Sequence, residues 1–221
     1  EFKRWFGDSK VVDSQGKPLV VYHGTAGNFA EFESRFAGST SFSATGMDGF
    51  YFTSDLGAAS KYAKMAEKSQ RERFGRFNAS QNVMPVYLSL QNPLVYQKQR
   101  GDASTLMDTL KQRVLDDAKA AGNDGVIFQG FRDTPTGTGK LADVYVAFSP
   151  TQIKSATGNR GTYDPTNPDI RFSVAPNNQP HPAPASISDI TNAAIYVAGT
   201  ALNQKVRDGR PLSALVKTLI E

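Results

Sequence analysis

The chain has 221 residues, a net charge of +4, no cysteine, and 39% hydrophobic and 10% aromatic residues. Zero cysteines exclude disulfides, thiol nucleophiles and thiolate metal sites; no apolar run approaches the roughly 20 residues of a membrane-spanning helix; and the opening EFKRWFGDSK has no signal-peptide apolar stretch. The mildly basic balance (pI about 9.2) is that of a solvated surface, compatible with nucleic acid or protein as a partner, and a start without Met points to a piece of a longer polypeptide.

The first twelve residues are bulky, and DSQGKP after them reads as a turn. Residues 19–23 are a short apolar strand running into His23, Gly24 and Thr25. Residues 26–46 carry Phe29, Phe32, Phe36 and Phe42 among small polar residues and read as a helical turn followed by a loop. GFYFTS, 49–54, is a second strand. Asp55 is an N-cap for a helix with Leu56, Ala59, Tyr62, Ala63 and Ala66 near one face. Residues 83–90 form a third strand, and NPLVYQ is a turn with a short extended piece. A second helix is expected over 102–123, with Leu106, Leu110, Val114 and Leu115 as its apolar stripe. Strands at 124–131 and 143–150 flank a Gly/Thr/Pro loop. Residues 151–173 are mostly loop, anchored by Ile153 and Ile170. Residues 174–186 are a Pro-rich linker, and 187–221 a helical segment broken near Gly209 and Pro211. The expected fold class is α+β, with a domain over 1–173.

The chain has two histidines, and His181 falls in the linker. That leaves His23 for chemistry. No G-x-S-x-G elbow accompanies it, a two-histidine nuclease has no second structured His, and a zinc site lacks ligands. There is no G-x-G-x-x-G or P-loop, and PTGTGK (135–140) lacks the phosphate-loop spacing. His23 therefore reads as an orienting, hydrogen-bonding group. Gly24 directly behind it permits close approach by a ligand or by another backbone.

Three segments, VVYHGTAGNFAEF, GFYFTSDLGAASKYA and ADVYVAFSPTQI, together resemble the motifs of ADP-ribosyltransferases of the diphtheria-toxin and poly(ADP-ribose) polymerase type, the His-Tyr-Glu enzymes. Tyr62 follows Tyr51 by eleven positions, which is the polymerase spacing. SPTQIKSATGNRGTYDPTNPDI is similar to transferase-like domains of phage and mobile-element polyvalent proteins. The resemblance covers most of 1–173 and implies a split-sheet core with flanking helices.

The resemblance also implies NAD⁺ as a substrate and no metal. His23 would bond a hydroxyl of the nicotinamide ribose or of the adenosine ribose. The Gly24 backbone would bind the carboxamide, with Thr25 and Phe52 flanking the site. Tyr51 and Tyr62 would sandwich the nicotinamide ring, a stacking contribution of about 0.5–1.5 kcal/mol per pair. The glycosidic bond would break with oxocarbenium character, and a carboxylate near the ribose 2′-hydroxyl would stabilise the developing charge. Asp143 is the candidate, with His23 and Tyr51 completing the catalytic set.

Departures from the family pattern leave alternatives open. Asp143 replaces the usual Glu, and in another register the aligned residue is Val144; Asp133 and Gln152 are then the fallback candidates. The family's nicotinamide-binding Ser is matched by Ala59, with Ser60 beside it. Leu141 two residues before Asp143 removes the Glu-x-Glu of arginine-modifying toxins. The leading reading is a mono-ADP-ribosyltransferase, a toxin or phage effector module acting on a macromolecule in the cytoplasm of a bacterial host or target cell. An NAD⁺ hydrolase, a degenerate NAD- or ADP-ribose-binding module and a small basic nuclease are the alternatives. The acceptor is expected to contact 36–48 or 132–140.

Overall fold

The computed structural model describes residues 1–33, 49–75, 79–133, 139–159 and 163–171, and the statements below concern these. The expected linker, the 187–221 segment and most of both acceptor loops lie outside the described residues.

The chain opens with a short helix, α1 (Phe2–Phe6), followed by β1 (Val21–Thr25), β2 (Phe50–Thr53), α2 (Leu56–Phe74), β3 (Asn82–Leu88) and β4 (Leu94–Gln97). Then come α3 (Asp108–Ala120), β5 (Gly125–Arg132), β6 (Leu141–Ala147), a 3-10 turn at Pro150–Gln152, and β7 (Ile153–Ser155). The strands pair into one seven-stranded sheet in the order β4-β5-β6-β2-β1-β3-β7. Neighbours run antiparallel except β4 and β5, which are parallel.

Alternation along the strands sends successive side chains to opposite faces. Val21, Phe50, Phe52, Val86, Ile127 and Tyr145 face a core closed by Val11, Phe32, Ile153 and Ile170. Val126, Phe128, Val144 and Val146 face the other way, against Val114, Leu115 and Ala118 of α3. We call these the loop face and the helix face. Fully burying a side chain such as Phe52 or Phe128 contributes about 1.5–3 kcal/mol, so both faces hold the sheet.

Local signals place α2 well. The Asp55 carboxylate accepts the N–H of Ala58 at 2.7 Å, and Gly75 closes the helix at φ 62° in the left-handed region. The start of α3 is a correction: it begins at Asp108, not 102. Thr105 instead bridges Arg132 in parallel, and the Arg132 N–H donates to the Ser104 carbonyl at 2.8 Å. Tertiary pairing overrides helical composition there, and Leu106 is buried ahead of the helix. The extended piece at 94–97 is a full edge strand, and the segment after 150 contains β7 rather than loop alone.

Ile153 and Ile170 are buried as expected. Between them lies a lysine, Lys154, that is fully buried. Its ammonium donates to the carbonyls of Asn167 and Asp169. Ser155 N–H donates to the Ile170 carbonyl at 2.7 Å, and Ile170 N–H to Ala30 O at 2.7 Å. The segment at 164–171 is thus fastened to β7 and to the chain after β1.

Candidate active site

The join between β1 and β2 is minimal. Their register contains one paired position, Tyr22 opposite Thr53, whereas β1 pairs β3 from Val21 to Thr25. The Pro85 carbonyl accepts the N–H of Ala156 at 2.9 Å, so its peptide faces β7. Tyr22, opposite Pro85, must then direct its own N–H and C=O toward β2. Alternation of peptide direction gives Gly24 the same orientation. The Gly24 peptide groups therefore face the gap beyond the single β1–β2 pair.

His23 bridges that gap. Its Nδ1 lies 2.8 Å from the Tyr51 carbonyl. A carbonyl can only accept, so Nδ1 carries the proton and, in the neutral ring, Nε2 is the acceptor. Burial holds the His23 pKa below its ordinary value, partly offset by the Tyr51 carbonyl. The ring is wedged among Phe32, Phe52 and Phe29, at centroid distances of 5.0, 5.6 and 6.3 Å. This is a fixed, neutral imidazole with one nitrogen left to accept a hydroxyl proton.

On the opposite side of β1, Gly24 rests on α2. A Cβ here would lie 2.1 Å from the Ala59 carbonyl oxygen and 2.7 Å from the Ala63 nitrogen. The close approach inferred from this glycine is thus made by the backbone of α2. Ala59 is completely buried in that contact.

Tyr51 and Tyr62 lie on the helix face with Thr53. The ammonium of Lys111, from α3, stands 5.9 Å from the centre of the Tyr51 ring. Tyr62 donates its hydroxyl to Oδ1 of Asp133 at 2.8 Å. Burial first, and the Asp133 charge second, push the Tyr62 pKa far up, so the phenol stays a donor. Asp133 also accepts the Thr53 hydroxyl. Its pKa is raised by burial and by Asp55, against the two hydrogen bonds and Lys111.

The first two sequence motifs are interlocked by these contacts: His23 to Tyr51, and Gly24 to Ala59. A family model for ADP-ribosyltransferases in polyvalent proteins matches residues 13–163. The chain belongs to this family. No curated protein matches it.

The remaining candidates of this ADP-ribosyltransferase domain fall in different places. Asp143 is half-buried on β6, facing the loop side. Its carboxylate accepts the N–H of Gly130 and the side-chain amide of Gln129, while burial raises its pKa. Those two residues form the bulge between Phe128 and Phe131, with Gly130 at φ 81°. The Asp143 N–H donates to the Ser54 hydroxyl at 3.0 Å. Asp143 therefore secures a bulge and a strand junction, and the structure does not bring it to Tyr62. Val144, the alternative register position, is buried on the helix face.

Gln152 is fully engaged as a cap. Its Oε1 accepts the N–H groups of Phe148 and Ser149 at 3.0 and 2.8 Å, and its Nε2 donates to Asp124 O at 2.8 Å. Ser60 is exposed and donates back to the Leu56 carbonyl of its own helix at 2.9 Å. Phe52 is core, 2% exposed, and Thr25 ends β1 opposite Asn82. The sequence pairs Tyr51 with Tyr62 by spacing, but the tie from Tyr62 to Asp133 spans 71 residues and leaves no local signature. Among the described residues, no group of three or more His, Asp or Glu is set to hold a metal ion, and no helix is long and apolar enough to cross a membrane.

Proposed function

We propose that this domain is a mono-ADP-ribosyltransferase that takes NAD⁺ as donor and a macromolecule as acceptor. The observation that carries the reading is the interlock at the β1–β2 gap. A neutral His23 with Nε2 as acceptor and the Gly24 peptide meet there, and the strand that carries Tyr51 supplies the carbonyl His23 binds. His23 accepts a ribose hydroxyl, the Gly24 N–H and C=O match the carboxamide of nicotinamide, and Tyr51 and Tyr62 supply aromatic faces. Holding the donor in this way exposes its N-glycosidic bond.

In the reaction the C1′–N bond breaks and its electron pair goes to the nicotinamide nitrogen, which loses its positive charge. The resulting C1′ cation forms a bond to an acceptor nucleophile, and the acceptor's proton leaves to solvent. Water in place of the acceptor gives hydrolysis. We assign the role of a toxin or phage effector module within a longer polyvalent chain, working in the cytoplasm of a bacterial host or target cell.

A second reading has one specific observation in its favour. Val144 is apolar and Asp143 points to the loop face, away from Tyr62, so β6 offers no carboxylate on the helix face. A module that binds NAD⁺ or ADP-ribose without turnover fits that observation. Incubation with NAD⁺ labelled in the adenylate, with and without cell lysate, separates the two. Transferase activity predicts nicotinamide release and a labelled macromolecule, both lost in His23→Ala. Saturable NAD⁺ binding with no release overturns the transferase reading in favour of the binding module, and absence of binding overturns both. Protease and nuclease digestion of the labelled product assigns the acceptor class.

A further inference from the structure

Strand β6 presents no carboxylate on the helix face, yet a carboxylate does reach Tyr62 there from elsewhere. Asp133 follows Arg132, the last residue of β5. Its carboxylate accepts hydrogen bonds from Tyr62, on α2, and from Thr53, on β2. Strand β6 lies between β5 and β2 in the sheet, and two strand spacings of about 4.8 Å exceed the reach of an Asp side chain, so the chain leaving β5 carries Asp133 over β6 on the helix face. Ala142 sits on that face of β6, opposite Phe131, and its small side chain leaves the crossing open. Thr53 is paired with Val144, so Asp133 delivers its oxygens beside the very position where β6 carries Val.

Burial works against the Asp133 anion, and its two hydrogen bonds and Lys111 work for it. A carboxylate has about four lone-pair sites, and Tyr62 and Thr53 take two. Lys111, paired with Asp108 at 2.7 Å and stationed over the Tyr51 ring, supplies nearby positive charge. Tyr51 and Thr53 share the helix face two residues apart on β2, so the carboxylate and the Tyr51 ring border the same space.

We propose that Asp133, carried on the end of β5, is the catalytic carboxylate of this domain, replacing an acid on β6. This rests on the transferase reading above. Asp133 accepts the 2′-hydroxyl of the nicotinamide ribose on its remaining lone pairs, and that bond strengthens as positive charge grows at C1′. Tyr62 and Thr53 fix its orientation, and no proton is transferred to it.

The test compares Asp133→Asn with Asp143→Asn in two readouts, nicotinamide release and NAD⁺ affinity by calorimetry. Asp133→Asn keeps an Oδ1 acceptor for Tyr62 and removes the charge, so it is expected to bind NAD⁺ within about threefold of wild type while release falls at least about 100-fold. Asp143→Asn retains an acceptor for Gly130 and is expected to lose less than about threefold. Tyr62→Phe removes only the hydroxyl that Asp133 accepts. It is expected to lose less than tenfold in release rate, and a loss equal to that of Asp133→Asn would reduce Asp133 to a positioning residue and overturn the proposal. So would full activity in Asp133→Asn, or collapse in Asp143→Asn alone. Wild type that binds NAD⁺ without releasing nicotinamide overturns the carboxylate assignment and spares the binding site; wild type that does not bind NAD⁺ overturns the site itself.

Discussion

Two seams of the same sheet are built in opposite ways. Strands β5 and β6 pair at six positions, from Gly125 opposite Ala147 to Arg132 opposite Leu141; β1 and β2 pair at one. Both ladders are interrupted, and in both a side chain takes the place of a missing strand bond. At β5–β6 the Asp143 carboxylate receives the bulge amide of Gly130. At β1–β2 the His23 ring donates to the Tyr51 carbonyl. The first interruption is closed over by the surrounding pairs. The second stays open, because no pair follows Tyr22 and Thr53 along β1 and β2. A polar side chain can therefore patch a sheet for strength or hold it apart for access, and the neighbouring register decides which.

The largest effect that bears on this comparison is expected from Gly24→Ala. The new Cβ meets the backbone of Ala59 at 2.1 Å, and neither the strand nor the helix can yield cheaply. A loss of about 3 kcal/mol or more follows, at the upper end for overpacking, read as a shifted urea midpoint. An Ala tolerated here with no stability change would mean that α2 does not press on the open seam. Next in size is Gly130→Ala at the closed seam. Its φ of 81° costs a residue with a Cβ about 1–2 kcal/mol, and since only a lysine side chain lies near, at 3.4 Å, NAD⁺ affinity should stay as it is. A matching loss of NAD⁺ affinity would join the two seams into one functional unit.

Asp133→Asn is expected to move stability the other way. Burial raises the Asp133 pKa in the folded state, so the folded chain holds that proton more tightly than the unfolded one. The associated stability is complete below the unfolded value of 3.8 and is lost as pH rises through the folded value. At pH 7 the Asn variant avoids the buried charge and should gain about 1 kcal/mol, an ordinary scale for one substitution. The gain should vanish near pH 4 in thermal melts. A variant that is less stable at pH 7 would mean that Lys111 and the hydrogen bonds outweigh burial. The smallest effect belongs to His23. Its pKa is lowered by burial, so its contribution is present above the unfolded value of 6.5 and is lost as pH falls through the folded one. Wild type should lose stability as pH falls below 6.5 on this account, and His23→Gln should not.

The open seam was the more legible of the two. His23, Gly24, Tyr51 and Tyr62 are named by order and spacing, because both motifs lie within strands and a helix whose ends carry their own signals, Asp55 above all. The carboxylate was legible only as a choice, with Asp143 first and Asp133 among the fallbacks. Sequence order puts Asp143 on the expected strand, but a bulge far along the chain from either tyrosine decides what that side chain does. Asp133 reaches Tyr62 only through a loop end whose path no periodicity encodes. Gly24 was read correctly as a close approach, with the approaching partner undetermined between ligand and backbone. The early start expected for α3 failed for a related reason: Thr105 finds a strand partner in Arg132 that is invisible to local composition.

The buried ammonium of Lys154 says where this domain can be cut. The segment recognised as the family ends at residue 163, but the carbonyls that hold Lys154 belong to Asn167 and Asp169. A chain trimmed to the recognised segment would keep the charge and lose its acceptors. A buried ion stripped of its partners is worth about 3–5 kcal/mol of destabilisation, a large share of what a domain of this size possesses. The shortest unit able to fold alone is consequently longer than the unit able to be recognised, and its C-terminal limit lies past Ile170.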